Sequence, residues 1–528
     1  MSEKRIRLMA FILICLLFFI PLGAQPAQKT DELIKLEGFE PMVAKLMAEF
    51  KIPGVAISIV KDAKLIYARG FGLRDITNNL TVTPDTLFAI GSCSKAFTAV
   101  TMGILSDEGK LDWDKPVREY LPSFRLSDPI VSERMRPRDL VTHRSGLPRH
   151  DLVWYKAPLS RQDLFDRLRY LDLSRDLRQS YQYNNLMFMT AGYLVGSIAG
   201  TPWEDFARKR VLDPLGMTST NFSVTDSQKS GDFARPYMIV RDKVEEIPFC
   251  NIDAIGPAGS INSNVTDMAK WLILNLNKGK YGEKADKTLI SENQMAQIHA
   301  PQMVVPDELK YAELLYPAYG MGWRINAYRG HLMVNHGGAI DGFSALVSFL
   351  PRDGIGVVIL VNLEDSPING MLAYNIYDRL LGMEPVNWYQ RIKDDLAQAK
   401  ARADKKKAEE EKDHKLGTKP SHSLDDYAGE FENPAYGIMT VSRDGDRLKA
   451  EFHGMSLILE HYHYDVFQIR YDLASIDHKM TFVTDFKGNI ASLTVPFEAS
   501  VKDIVFNKKP SQTAAGRDNQ GKRQGGSR

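Results

Sequence analysis

The chain has 528 residues, 44% of them hydrophobic, and a formal net charge of +1. That apolar content over that length exceeds what one small core buries, so two or more domains are expected. The near balance of charge supplies no basic or acidic footprint, and neither nucleic acid nor an acidic polymer is expected as a partner.

The chain opens on a leader. "MSEKRIR" supplies positive charge, residues 8–20 form an unbroken apolar run, and "PLGAQPAQKT" turns small and polar. This is the pattern of a secretory signal peptide over residues 1–24, cleaved after Ala24. An uncleaved anchor is the competing reading, disfavoured because the run falls short of the ~20 residues of a spanning helix. Export to the periplasm or the extracellular space is therefore expected, with no stable membrane span after cleavage. Cys15 lies in the leader, which leaves Cys93 and Cys250, two distant thiols that make no disulfide framework.

Residues 33–50 repeat apolar side chains at helical spacing, and "KIPG" ends them. "GVAISIV", a turn at Lys61 and Asp62, and "KLIYARGFG" predict an antiparallel hairpin. A second hairpin comes far downstream, as "FSALVSFL", the turn "PRDG" and "IGVVILVN". The pattern between them is mostly helical. Residues 30–383 are therefore assigned to the α/β (α+β) class, an antiparallel sheet flanked by helices with an inserted, mostly helical region. Residues 384–420 are dense in charge without an apolar stripe and read as a solvated helical linker. Short alternating strands over 421–507 predict a separate small antiparallel β domain, and 508–528 a disordered tail. His461 and His463 share one strand face, but no third ligand stands at metal spacing, so neither metal nor cofactor is expected.

One short stretch departs from its surroundings. "FAIGSCSKAFTAV" sets Lys95 inside a run whose apolar residues are spaced as in a buried helix. Ser92, three residues earlier, shares the face of Lys95 if the helix begins near it. A desolvated lysine loses its proton more easily than in water and could take that of the Ser92 hydroxyl, making a nucleophile. The positive end of the helix would favour the oxyanion that follows.

S-x-x-K alone is common, and two further stretches corroborate it. "YQYNNLMFMTAGYLVG" carries Tyr183, Asn184 and Asn185 just ahead of an apolar helix, and "NHGGAIDGFSALVSF" carries His336, Gly337 and Gly338 ahead of a strand. A phenol relays protons, an amide binds a lysine and a substrate amide, and glycines let a strand approach an acyl group closely. Duller readings stand beside these. Tyr183 could be a packed aromatic, Asn184 and Asn185 a helix cap, and His336 part of a Gly-rich turn. Cys93 reads as a buried packing residue, and His143 and His150 as loop residues, with His143 backing the site.

In these three motifs, in this order, the chain resembles the penicillin-recognising serine hydrolases. They include class C β-lactamases, D-alanyl-D-alanine carboxypeptidases, D-aminopeptidases and related esterases. The likeness spans about 36–381 and extends to "LVTHRSGLP" and "PAGSINSNVTDMAKWL". It implies Ser92 as the acylated nucleophile, Lys95 as its general base and Tyr183 with Asn185 as the second motif. His336 and Gly338 would form the third, and the backbone N–H groups of Ser92 and Ala339 the oxyanion hole.

The resemblance also implies a small peptide, ester or β-lactam as substrate and no cofactor. "DYAGEFENPAYG" resembles the β-barrel-like module often appended to such hydrolases. None of its residues join the motifs, so a chain ending near Leu381 is expected to retain the catalytic groups, with changed substrate range or solubility at most. His336 stands where β-lactamases usually carry lysine, and a partly charged imidazole holds a substrate carboxylate less firmly near neutral pH. The expected function is thus a secreted serine hydrolase working through an acyl-enzyme on an amide or ester, peptidase- or esterase-like more than a β-lactamase. The alternative is a non-catalytic penicillin-binding or sensing protein that acylates without efficient turnover.

Overall fold

The computed structural model describes residues 31–306, 310–474 and 476–510. The leader, and the tail beyond 510, lie outside the described residues.

Nine strands make the main sheet: β1 (Gly54–Lys61), β2 (Lys64–Asp75), β3 (Leu80–Thr81), β4 (Met303–Val304), β5 (Leu314–Tyr319), β6 (Arg324–Tyr328), β7 (His331–Ile340), β8 (Phe343–Leu350) and β9 (Ile355–Val361). Their order is β4-β5-β6-β7-β8-β9-β1-β2-β3. The two hairpins read from the sequence thus meet at the sheet centre, where β1 runs antiparallel to β9 with Val55 opposite Val361 and Lys61 opposite Ile355. Both strands are buried on both faces, which is why "GVAISIV" and "IGVVILV" are apolar without alternation. The pleat then sorts them by parity. Ile57, Ile59, Val357 and Ile359 join a core with α1 (Phe39–Glu49), whereas Ala56, Val60, Val358 and Leu360 join the core of the helical region. That region contributes α2 (Ser94–Asp107), α3 (Asn185–Ala199) and α4 (Val265–Leu276). After the sheet, α5 (Ile368–Leu381) returns to the core of α1.

Two local expectations shift. The single helix read over 33–50 is broken into Asp31–Lys35 and α1, because Gly38 sits at φ 78° in the left-handed region. The first hairpin turns at Asp62 and Ala63 rather than Lys61 and Asp62. Both carry positive φ (48° and 58°), as a two-residue loop matched to strand twist requires.

The segment read as a solvated linker forms α6 (Trp388–Lys412), and its first turns are not solvated. Trp388 is 3% exposed, donates its indole N–H to the Tyr328 hydroxyl at 3.3 Å and lies 4.8 Å from the Tyr374 ring centroid. Tyr389 and Ile392 pack beside it, and Arg391 pairs with Glu313 at 2.8 Å. One buried indole, too sparse to make a stripe, anchors a helix whose remainder is charged and exposed.

Eight strands, from Gly429–Asn433 to Ile504–Lys508, close into a barrel. Closure comes from Phe431 opposite Lys508, and the strand Met455–His463 alternates buried and exposed positions as a barrel wall does. Its core is continuous with that of the helical region. Lys156 donates to the Tyr471 hydroxyl at 2.7 Å and Arg167 to the Ala435 carbonyl at 2.9 Å across the junction. Among the described residues no helix is long and apolar enough to cross a membrane, and no group of three His, Cys, Asp or Glu side chains could hold a metal ion.

Truncation of the α6 anchor tests this reading. Trp388→Ala should cost ~3–5 kcal/mol and lower the unfolding midpoint, as large-to-small core changes do. Lys406→Ala, which breaks only an exposed pair with Glu410 at 3.7 Å, should stay within about 0.5 kcal/mol in the same denaturant titration.

Candidate active site

The chain enters the site through a tight turn. Gly91–Cys93 form one turn of 3₁₀-helix and α2 begins at Ser94, so Ser92 precedes the α-helix instead of opening it. The Ser94 hydroxyl fixes the turn by donating to the Gly91 carbonyl at 2.8 Å and accepting the Ile261 N–H at 3.1 Å. Twelve of the 14 residues of α2 are buried, and Lys95 is fully so. The lysine in the apolar run is held indoors.

Its amine meets three oxygens: Ser92 Oγ at 2.9 Å, Asn185 Oδ1 at 2.8 Å and the Ala258 carbonyl at 2.8 Å. Carbonyl oxygens only accept, so two N–H groups are committed to them. The third contact is a hydroxyl, which can donate into the lone pair of a neutral amine. Burial, followed by the nearby Arg149 charge, holds Lys95 well below the usual lysine range, with Asp151 opposing.

The second motif divides the two readings of its asparagines. Asn184 is the cap of α3, accepting the Met187 N–H at 2.8 Å, while Asn185 turns its amide to Lys95. Asn185 Nδ2 donates to Asp151 Oδ1 at 3.0 Å, and Asp151 also accepts from Trp154 Nε1 at 2.9 Å and Arg149 Nε at 2.6 Å. The Tyr183 hydroxyl hydrogen-bonds to Ser92, and burial pushes its pKa up, so the phenol keeps its proton. His143 backs this cluster. Its Nδ1 accepts the Asn184 N–H at 3.0 Å, its ring lies 4.2 Å from that of Tyr183, and burial keeps it neutral.

The third motif lies on β7, pressed against the 3₁₀ turn. Gly91 adopts φ 51°, and a Cβ there would stand 2.7 Å from the Ala339 nitrogen. A Cβ on Gly338 would run into the Ile90 carbonyl oxygen and come within 3.2 Å of the Ser92 nitrogen. Only two glycines let these backbones pass so closely, and they bring Ser92 and Ala339 to one spot on the cleft wall. Cys93 packs behind them, its thiol against the His336 carbonyl at 3.2 Å and pushed up to about 12 by burial.

His336 differs from expectation. It is 4% exposed, its Nδ1 donates to the Gly337 carbonyl at 2.6 Å, and its Nε2 accepts from the Tyr319 hydroxyl at 2.9 Å. Burial pushes it down to about 3, and any charge on Lys95 acts in the same sense. The imidazole is therefore neutral near pH 7, not a partial cation offered to a carboxylate. The positive charge of the cleft comes from Arg149 and Arg324, neither of which the motifs flagged. Arg149 stood in the loop "HRSGLPRHD", where the histidines drew attention; Arg324 had no sequence signal.

The cleft has two lobes sharing Ser92, Arg149 and Ala339. One, of about 720 Å³, is lined by Tyr183, Tyr319, Arg324 and His336. The other, of about 370 Å³, is lined by Asp151, Trp154 and Asn185 and by Leu473, Phe497 and Glu498 of the barrel. The catalytic candidates all precede Leu381, and the barrel beyond it forms part of the cleft wall.

Comparison with known proteins bears on the family and the fold. The β-lactamase family model matches residues 39–380, and a second model, a domain of unknown function (DUF3471), matches 413–508. The chain is 30% identical to the unguisins hydrolase ungD' of Aspergillus campestris over 431 residues, 78% of each protein. It is 24% identical to protein flp of Staphylococcus aureus over 331 residues, 61% of this chain and 62% of that protein. Among solved structures, the octameric penicillin-binding protein homologue of Pyrococcus abyssi superposes with a TM-score of 0.60 at 22% identity, covering 90% of this chain and all of that one. The D-amino acid amidase of Ochrobactrum anthropi gives 0.54 at 22% identity, covering 67% and 98%. With its motifs gathered at one cleft and the family model spanning its sheet and helical region, the chain belongs to the β-lactamase family.

Proposed function

We propose that the protein is an exported serine hydrolase that cleaves an amide or ester bond through an acyl-enzyme on Ser92. The observation that carries this reading is the Lys95 amine, with two N–H groups engaged by carbonyls and its third direction taken by Ser92 Oγ at 2.9 Å. Relatives named as a hydrolase of unguisins and as a D-amino acid amidase support hydrolytic chemistry and an amide among the substrates. The apolar leader supports export.

In this reading Lys95 takes the Ser92 proton as Oγ bonds to the substrate carbonyl carbon. The Ser92 and Ala339 N–H groups stabilise the oxyanion. Collapse breaks the bond to the leaving group, which is protonated through the Tyr183 hydroxyl. Water then attacks the acyl-enzyme and restores Ser92. Asn185 keeps the amine oriented, and Asp151 and Arg149 keep Asn185 oriented.

Ser92→Ala should abolish both turnover and covalent labelling by a fluorophosphonate without unfolding the protein; labelling that persists would overturn the assignment. Lys95→Met, which keeps the length but removes the base, should lose about 10²–10⁴ in kcat/KM. A wild type that is labelled yet never turns over would instead favour the sensing protein.

The lowered Lys95 pKa has a sign to test. Activity requires the neutral amine, so kcat/KM should be retained through neutral pH and fall only as acid protonates Lys95, far below the ordinary lysine value near ~10.4. A rate climbing steadily to pH ~10 would show an unperturbed lysine.

The neutral state of His336 makes a separate prediction. KM for a carboxylate-bearing substrate should stay flat between about pH 5 and 8, because the imidazole does not titrate there. A rise of KM through that window would restore the charged histidine.

A further inference from the structure

The C-terminal barrel has no assigned role, yet it reaches the nucleophile's cleft at two places. We propose that the barrel completes the substrate site, walling a lobe that receives an uncharged apolar group next to the scissile bond. The inference rests on Ser92 as nucleophile and concerns what lies beside it.

The first contact is the wall itself. Leu473, Ile476, His478 and Phe497 of the barrel face Trp154 and Ile340 across the second lobe. These facing side chains are mostly apolar, and a lobe of about 370 Å³ with such a patch in its wall rewards burial of an aromatic or branched group. The wall is fixed in place rather than draped. The Tyr155 hydroxyl donates to the Leu473 carbonyl at 3.3 Å and to Asp341 at 2.6 Å, tying the barrel to the end of β7 two residues past Ala339.

The second contact holds the loop that carries Arg149 and Asp151. Between them His150 sits at φ 47°, a left-handed conformation that a non-glycine residue keeps only when held. The barrel holds it twice: Glu498 Oε2 accepts the His150 N–H at 3.1 Å, and the Tyr436 hydroxyl bonds its Nδ1 at 2.8 Å. The Asp172 carbonyl takes the other ring nitrogen at 2.9 Å. The residues on either side of this clamp reach Tyr183 and Asn185. The barrel therefore positions the support of the second motif as well as lining the lobe.

Charge narrows the occupant. The lining of the lobe includes the carboxyl groups of Asp151, Asp341, Glu364 and Glu498 against the single guanidinium of Arg149. Asp151 is paired with Arg149, while burial raises the pKa of Asp341 and pushes Glu364 up to about 7; an anionic group entering beside these acids and Glu498 adds negative charge where it is already disfavoured, which is costly. The favoured occupant is apolar and uncharged.

Four thioesters, read by thiol release from the full-length protein, test this. S-methyl thioacetate is small on both sides. S-benzyl thioacetate is bulky on the leaving side, S-methyl phenylthioacetate on the acyl side, and the fourth is the latter with a para-carboxylate. Leu473→Trp, at a half-buried position on the lobe wall, should lower kcat/KM for one of the two neutral bulky substrates by about tenfold or more, leaving S-methyl thioacetate within about twofold. His478→Ala, which widens the lobe without filling it, should spare or improve that same bulky substrate.

The wild type should also turn over the bulky substrate that Leu473→Trp affects, and the para-carboxylate should be poorer than its neutral parent by a similar factor if that substrate is the acyl-bulky one. An equal effect of Leu473→Trp on all substrates, or none on any, would overturn the wall. A preference for the para-carboxylate would overturn the charge argument. If the wild type releases no thiol and a fluorophosphonate fails to label Ser92, the hydrolase reading falls first and this inference with it. Labelling of Ser92 together with indifference to Leu473→Trp removes the inference alone.

Discussion

A buried amine with no counter-ion against it is the constraint around which this site is built. A lysine inside a protein is stable either beside a carboxylate, as an ion pair, or among neutral acceptors, as an amine of lowered basicity. The protein takes the second course with a carboxylate close at hand. Asp151 does not touch Lys95; Asn185 stands between them, giving its oxygen to the amine and its N–H to the acid. An amide conveys orientation but no net charge, so Lys95 gains a fixed geometry without a counter-ion that would hold its proton. Arg149 completes the insulation by pairing with Asp151 at 2.6 Å and adding its own charge against protonation of Lys95.

The same economy of space governs the backbone. Three glycines allow approaches that any Cβ would block. Gly91 and Gly338 interlock the 3₁₀ turn with β7, and Gly322, at φ 76°, brings the chain ahead of β6 to where a Cβ would stand 2.8 Å from the Lys95 carbonyl oxygen. The turn that carries Ser92 is thereby gripped between the central sheet and the helical region. Preorganised N–H donors stabilise a developing charge only if they need not move to meet it, and in the proposed mechanism this grip would hold those of Ser92 and Ala339 still.

How far this was legible follows from the range of each interaction. The central hairpins announced themselves because strands buried on both faces are apolar without a break, and the barrel because its strands alternate. Ser92 and Lys95 share a local turn, so three residues of sequence carried their geometry. Asn184 and Asn185 admitted two readings, and both turned out to describe one of the pair. The state of His336 was not legible: nothing in "NHGGA" says that Tyr319 would donate to it or that burial would strip its charge. Nor was Trp388 readable as an anchor in a segment otherwise made of charge. Arg149 and Asp151 bracket a histidine in a loop, and their role depends on a helix 34 residues away and on a barrel almost 350 residues away.

These parts give the cleft a direction. On one side of Ser92 lie Arg149 and Arg324, with Asp365 near them; on the other, Asp151, Asp341, Glu364 and Glu498 outnumber the one shared guanidinium. A substrate spanning both lobes is sorted end for end by that difference before any bond is made, and electrostatic complementarity of this kind governs orientation and rate of encounter more than raw affinity. A neutral His336 fits such a cleft better than a charged one. With the positive lobe already supplied by two guanidinium groups, a third cation beside Lys95 would raise the cost of the proton uptake that the proposed mechanism assigns to it. The burial that removes charge from His336 therefore balances the other two groups: Arg149 and the amide between Asp151 and Lys95 keep the resting amine neutral, and an uncharged His336 adds no further penalty when, in the proposed mechanism, that amine takes the proton of the hydroxyl beside it.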